Sequence, residues 1–253
     1  VINENKNNKL SEESTMKKLM TLCAVATMIL AVSGVAQATI SYDQNVTPNV
    51  IFGDGNANGS FTVDQTGGVE LGLRAKLRHD ATGQPQNIYN SNGDGTYTFD
   101  AGSAFGQSAS TAVWSFEWSI NTDFAGTSGV KLDDLTYTLS MTSTTGSSIV
   151  AFDPINQPLV DHAIGDNTTT EATNFVAANE TEYANLIANY NVAQNSWKPS
   201  WFAAPFDPTL TGTYDFTLTA SNGASTSMRV NVVPEPATLA LLGLGGLLLR
   251  KRK

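Results

Sequence analysis

Apolar and polar residues alternate with period two along several stretches of the chain. Between Val69 and Arg78, the residues Val69, Leu71, Leu73, Ala75 and Leu77 fall on one face, and Glu70, Arg74, Lys76 and Arg78 on the other. Val113–Ile120 sets Trp114, Phe116, Trp118 and Ile120 against Ser115, Glu117 and Ser119. Leu135–Met141 opposes Leu135, Tyr137, Leu139 and Met141 to Thr136, Thr138 and Ser140, and Tyr214, Phe216, Leu218 and Ala220 repeat the pattern. This period belongs to half-buried strands. Turn formers punctuate it at Gly67-Gly68, Asn92-Gly93, Gly126–Gly129 and Asn222-Gly223. Strands with one apolar face each must cover one another, so the pattern predicts an all-β fold, an antiparallel β-sandwich or jelly roll. One short helix is expected where Asn179 and Glu182 form a cap and capping-box pair and Tyr183, Leu186, Ile187 and Tyr190 recur at helical spacing. A last strand over Ser227–Val233 runs directly into Pro234.

The two ends break the pattern. Ala237–Leu249 contains no charge and only one polar side chain, Thr238, and it ends in Arg250, Lys251, Arg252 and Lys253. A helix apolar on every side needs an apolar solvent. A C-terminal membrane helix is therefore expected, carried by Ala237, Leu239, Leu241, Leu242, Leu244, Leu247, Leu248 and Leu249, with the basic cluster at the cytoplasmic face. The span is short beside the roughly twenty apolar residues that cross a bilayer. At the other end, Lys17-Lys18, an apolar run from Leu19 to Val32 and the small residues Ala36 and Ala38 read as a secretory signal peptide with its cleavage site. Four segments follow: 1–15, an over-extended start; 16–38, the signal peptide; 39–233, the β-sandwich ectodomain; and 234–253, a tail of Pro-Glu-Pro motif, membrane helix and basic end.

That tail, VPEPATLALLGLGGLLLRKRK, resembles the PEP-CTERM sorting signal in its Pro-Glu-Pro motif, its short Leu- and Gly-rich span and its basic end. The resemblance implies that Pro234, Glu235 and Pro236 are read by exosortase, a membrane-embedded cysteine transpeptidase of exopolysaccharide-producing bacteria. It also implies a route: Sec translocon, signal peptidase, transient anchoring in the membrane, then the cell surface or extracellular matrix of a Gram-negative-type bacterium. Stretches such as TAVWSFEWSINTD and GTYDFTLTASNGA are similar to ectodomains found among uncharacterised PEP-CTERM proteins, to which no activity is attached.

Charge and cysteine content narrow the chemistry. The only cysteine, Cys23, lies within the signal peptide, so the mature chain has no thiol for disulfides, metal or nucleophilic catalysis. Residues 39–233 hold six Lys and Arg against nineteen Asp and Glu, a net charge of −13 where the whole chain carries −9. Such a surface repels nucleic acid and bare anionic polymer, and favours solubility and divalent cations.

Several residues are candidates for binding. Asp54-Gly55-Asn56-Ala57-Asn58-Gly59 and Asn90-Ser91-Asn92-Gly93-Asp94-Gly95 begin an internal repeat, each loop followed by an alternating strand and an Asp. Asp54, Asn56 and Asn58, and Asn90, Asn92 and Asp94, fit the first half of a calcium loop, although Asn, Asp and Gly are also what tight turns require. No cofactor is required by the sequence; Ca²⁺ is the one candidate. Arg74, Lys76 and Arg78 form a basic stripe suited to an acidic polysaccharide, or a solvated face paired with carboxylates across the sheet. Trp197 and Trp201 could stack on sugar rings from a loop, or plug one end of the core.

The chain has no Gly-x-Ser-x-Gly elbow, no His-Glu-x-x-His and no P-loop. His79 and His162 each neighbour an Asp, but adjacent strand residues point apart, and Glu117 is only the most suggestive of many carboxylates for glycoside hydrolysis. Ser/Thr clusters at Thr142–Thr145 and Thr168–Thr170 are candidates for O-linked sugar. A non-enzymatic structural or adhesive protein of the exopolysaccharide matrix is the expectation. The alternatives are a carbohydrate-binding module and a polysaccharide-acting hydrolase.

Overall fold

The computed structural model describes residues 40–157 and 161–235. The signal peptide with Ala36 and Ala38, Pro236, the apolar span and the basic end lie outside the described residues. Eleven strands are present among them: β1 (Ser41–Gln44), β2 (Phe61–Thr66), β3 (Val69–Leu77), β4 (Thr96–Asp100), β5 (Trp114–Asn121), β6 (Tyr137–Ser143), β7 (Ser148–Phe152), β8 (Ala163–Gly165), β9 (Val192–Trp197), β10 (Gly212–Ala220) and β11 (Ser225–Val233). They form two sheets, ordered β1-β2-β3-β5-β9-β8 and β4-β11-β10-β6-β7. The expected all-antiparallel pairing needs one correction, because β4 lies parallel to β11 and the second sheet is mixed.

The alternating residues do what their period predicts on one side. Leu71, Leu73, Phe116, Trp118 and Ile120 of the first sheet and Leu139, Met141, Phe216, Leu218 and Val230 of the second bury into one apolar core. Phe116 and Phe216 approach to 4.7 Å between ring centroids across it, and Trp114 meets Tyr214 at 5.4 Å. The helix α1 (Glu180–Asn189) starts where its cap predicts. Asn179 Oδ1 accepts from the Glu182 N–H at 3.0 Å, while the Glu182 carboxylate reaches back to the N–H of Ala178. Tyr183, Leu186 and Ile187 are its buried face.

The other faces of the two sheets differ from each other, and only the first departs from expectation. In the second sheet it is open, and Arg229 pairs with Asp215 in solvent. In the first sheet it is closed: every residue of β5, including Ser115, Glu117, Ser119 and Asn121, is buried. An irregular segment, 46–59, lies over it and contributes Val46, Val50, Ile51 and Phe52 to a second apolar cluster with Phe61, Val63, Ala163 and Val192. Irregular backbone can be buried only where its polar groups find partners, and the polar face of the sheet supplies them. Glu70 accepts from Thr47 N at 2.6 Å, Asn121 Nδ2 donates to Thr47 O, and Gln194 both accepts from Ile51 N and donates to Asn49 O. The fit is close enough that a Cβ on Gly72 would lie 2.7 Å from Val46.

The internal repeat does not produce equivalent units. The first copy leads into β2 of the first sheet, and the second into β4, the edge of the other.

Candidate functional site

A cleft of about 460 Å³ opens where the covering segment stops short of the sheet end. Its floor is the polar face: Lys76 from β3, Arg78 just beyond it, Ser115 and Glu117 from β5, and Ser196 from β9. Its walls are Phe52–Asn56 of the covering segment and the stretch around Asp161, Asn174 and Val176.

Beneath the floor sits a buried ion pair. Arg74 and Glu117 face each other across the β3–β5 ladder, with Nε 2.6 Å from Oε2 and both side chains at most 1 % exposed. Arg74 also donates to the carbonyls of Ala57 (2.9 Å) and Gly59 (2.7 Å), and its guanidinium lies 4.2 Å from the ring centres of both Phe61 and Tyr89. It thereby ties the covering segment down and shapes the cleft wall.

Lys76 Nζ donates to Asn56 Oδ1 at the cleft floor. Burial holds its pKa below the ordinary lysine value; Glu117 opposes this shift, and the neighbouring Arg74 and Arg78 add to it. Arg78 donates to the hydroxyl and carbonyl of Ser196 at 3.0 and 3.3 Å. Its guanidinium carbon is 5.6 Å from the ring centre of Trp201, and Lys198 Nζ is at the same distance. Trp201, on the turn Pro199–Trp201, is 53 % exposed. His79 borders the cleft with Nδ1 on the Gly83 carbonyl, and burial lowers its pKa.

Two sequence-derived assignments need correction. Arg74 is interior and cannot contact a polymer, because the segment that covers its sheet was invisible to strand periodicity. Trp197 is no loop residue: it ends β9, 1 % exposed, packed on Trp118 and Phe202. Lys76, Arg78 and Trp201 are brought together at one cleft and its rim.

The loops read as calcium half-sites are used differently. Asn56 Oδ1 faces two cationic donors, Lys76 and Arg74, and Asn58 closes a two-way bond with the backbone of Val46. In the hairpin before β4, Asn92 donates to Thr96 and Thr98 while Asp94 accepts from Thr96. Asn90 has a left-handed φ of 51°. Among the described residues no three His, Asp or Glu side chains gather as a metal site would require.

His162 is a core residue. Its Nε2 donates to the Pro154 carbonyl, Nδ1 accepts from Asn195, and Trp118, Tyr183 and Trp197 surround the ring. The contributions of Gln194, Asn195 and Ser196 were missed, since β9 (VAQNSW) is buried on both faces and shows no period.

Fold and cleft define a two-sheet β domain with a cleft on the covered face of one sheet, lined by Lys76 and Arg78 together with Asp54, Glu117 and Asp161. Residues 232–253 match a family model described as the PEP-CTERM protein-sorting motif. That motif marks the chain for an exosortase-type sorting enzyme, and with it for export and association with the envelope. No curated protein and no solved structure matches the chain. Among the described residues, no helix is long and apolar enough to cross a membrane.

Proposed function

We propose that the protein is a non-enzymatic component of the bacterial cell surface and exopolysaccharide matrix. Its β-sandwich ectodomain would hold an acidic polysaccharide at the Lys76–Arg78 cleft. One observation carries the reading: in a domain with nineteen carboxylates and six basic residues, Lys76 and Arg78 line this cleft beside Asp54, Glu117 and Asp161, and Lys198 joins Arg78 at its indole rim. Glu117 is already spoken for by Arg74, leaving Lys76 and Arg78 to face a carboxylated sugar while Trp201 offers a ring face for stacking.

The same pairing favours binding over hydrolysis. Glu117, the carboxylate singled out for hydrolysis, is 1 % exposed and held by a guanidinium at 2.6 Å, where it is not free to protonate a glycosidic oxygen as a general acid.

The test is co-sedimentation of the purified protein with a polyuronate and with a neutral glucan. Selective retention by the polyuronate, weakening with salt and about tenfold weaker in Arg78→Glu or Trp201→Ala, is the expected result. Equal retention of wild type and both variants would leave a purely structural role.

A further inference from the structure

The tail leaves the domain without a linker. Val232 and Val233 are not free to extend the apolar span, because Val232 is paired with Gly212 of β10 and Phe99 of β4, and Val233 with Asp100 of β4. Val233 O accepts from Ala101 N at 2.7 Å, and Glu235 rests against Gly102, where a Cβ would lie 2.9 Å from its carboxylate. Three residues lie between Val233 and Ala237, and the four extended steps from one to the other reach about 14 Å at most. The thirteen residues Ala237–Leu249, even if wholly helical, cover only about 20 Å of a hydrocarbon core of about 30 Å. A span that short draws its flanks toward the bilayer.

The end of the domain that would be drawn in carries two exposed apolar side chains among the carboxylates Asp100, Asp207 and Glu235. Phe105, 68 % exposed, stands on the loop between β4 and β5, which borders a groove shared with Glu235. Leu210 is exposed on the turn just before β10, and the Pro208 carbonyl of that turn accepts from Gly102 N. Both lie beside the exit of the chain.

We propose that, while the tail is still attached, this end of the ectodomain sits in the headgroup layer of the lipid bilayer, with Phe105 and Leu210 inserted at the interface. Exposed aromatic and aliphatic side chains are favoured at that depth. This rests on the reading of residues 237–249 as a membrane segment. The sorting enzyme would then meet the Pro-Glu-Pro motif at the bilayer surface, pinned under a folded domain.

The described domain contains no cysteine, so single thiols can be introduced at will. In full-length protein carrying Cys23→Ser, an environment-sensitive fluorophore is attached at Phe105→Cys or Leu210→Cys. A third variant carries it at Thr127→Cys, in the exposed loop after β5 at the opposite end of the sheets. Each is reconstituted into phosphatidylcholine vesicles containing brominated lipid. Loss of fluorescence at 105 and 210, with none at 127, is expected. Co-flotation with vesicles but equal, unquenched signals at all three positions would overturn the seated end while keeping the membrane tail. Absence from the floating fraction would overturn both.

Discussion

Replacing Arg74 by Met tests whether the polar face of the first sheet is an interior. Arg74 loses a 2.6 Å ion pair to Glu117, two hydrogen bonds to backbone carbonyls and a place between two aromatic rings. Removing one partner of a buried pair leaves an uncompensated charge and costs about 3–5 kcal/mol. For a domain of this size that lowers Tm by roughly 6–20 °C. A solvated stripe would lose below about 1 kcal/mol, and Arg229→Met, which breaks the exposed pair with Asp215, supplies that reference. Urea unfolding followed by tryptophan fluorescence measures both, provided the m-value is unchanged. Arg74→Met/Glu117→Met should recover part of the loss, since two apolar groups replace a charge with no partner. A loss in Arg74→Met no larger than in Arg229→Met, or a double variant showing simple additivity, would refute the covered face.

Asp123 accepts from the N–H groups of Thr127, Ser128 and Gly129 at 2.8–2.9 Å, which hold its pKa at about 2. Its ordinary value is about 3.9. The stability it adds is therefore complete above that value and lost as pH falls toward the folded one. Asp123→Asn should flatten the Tm-against-pH curve between those limits; an unchanged slope would assign the acid sensitivity elsewhere. Trp197→Ala should cost about 3–5 kcal/mol by core loss, whereas Trp201→Ala should stay within about 0.5 kcal/mol, and chemical denaturation separates the two. Millimolar Ca²⁺ should leave Tm unmoved, because Asn56 Oδ1 already faces Lys76 and Arg74; a rise of several degrees would show that the loop does hold a cation.

Of the cleft, the sequence exposed the parts but not their assembly. Lys76, Arg78 and Trp201 stood out as charge and aromatic content, yet the contact that places Trp201 beside Arg78 joins the end of β3 to the turn after β9. Asn56 was noticed for a spacing that suits a metal loop, and only the register of β3 beneath it shows that its amide oxygen meets Lys76 and Arg74. Gln194 gave no signal, although it clamps Asn49 and Ile51 from 143 residues away or more.

By itself the sequence determined what depends on neighbours along the chain. Period two settled which side chains share a face, the Asn179 cap settled where the helix starts, and the last twenty-two residues carried their own address. What lies over a strand is a different matter, because alternation reports one face against the other and is silent about a cover arriving from elsewhere. Only the folded chain decided that the polar side of the first sheet is interior, since its polar groups are matched to backbone that approaches from residues 46–59. Hydrogen-bond satisfaction across such distances is a property of the assembled surfaces, and no local pattern encodes it.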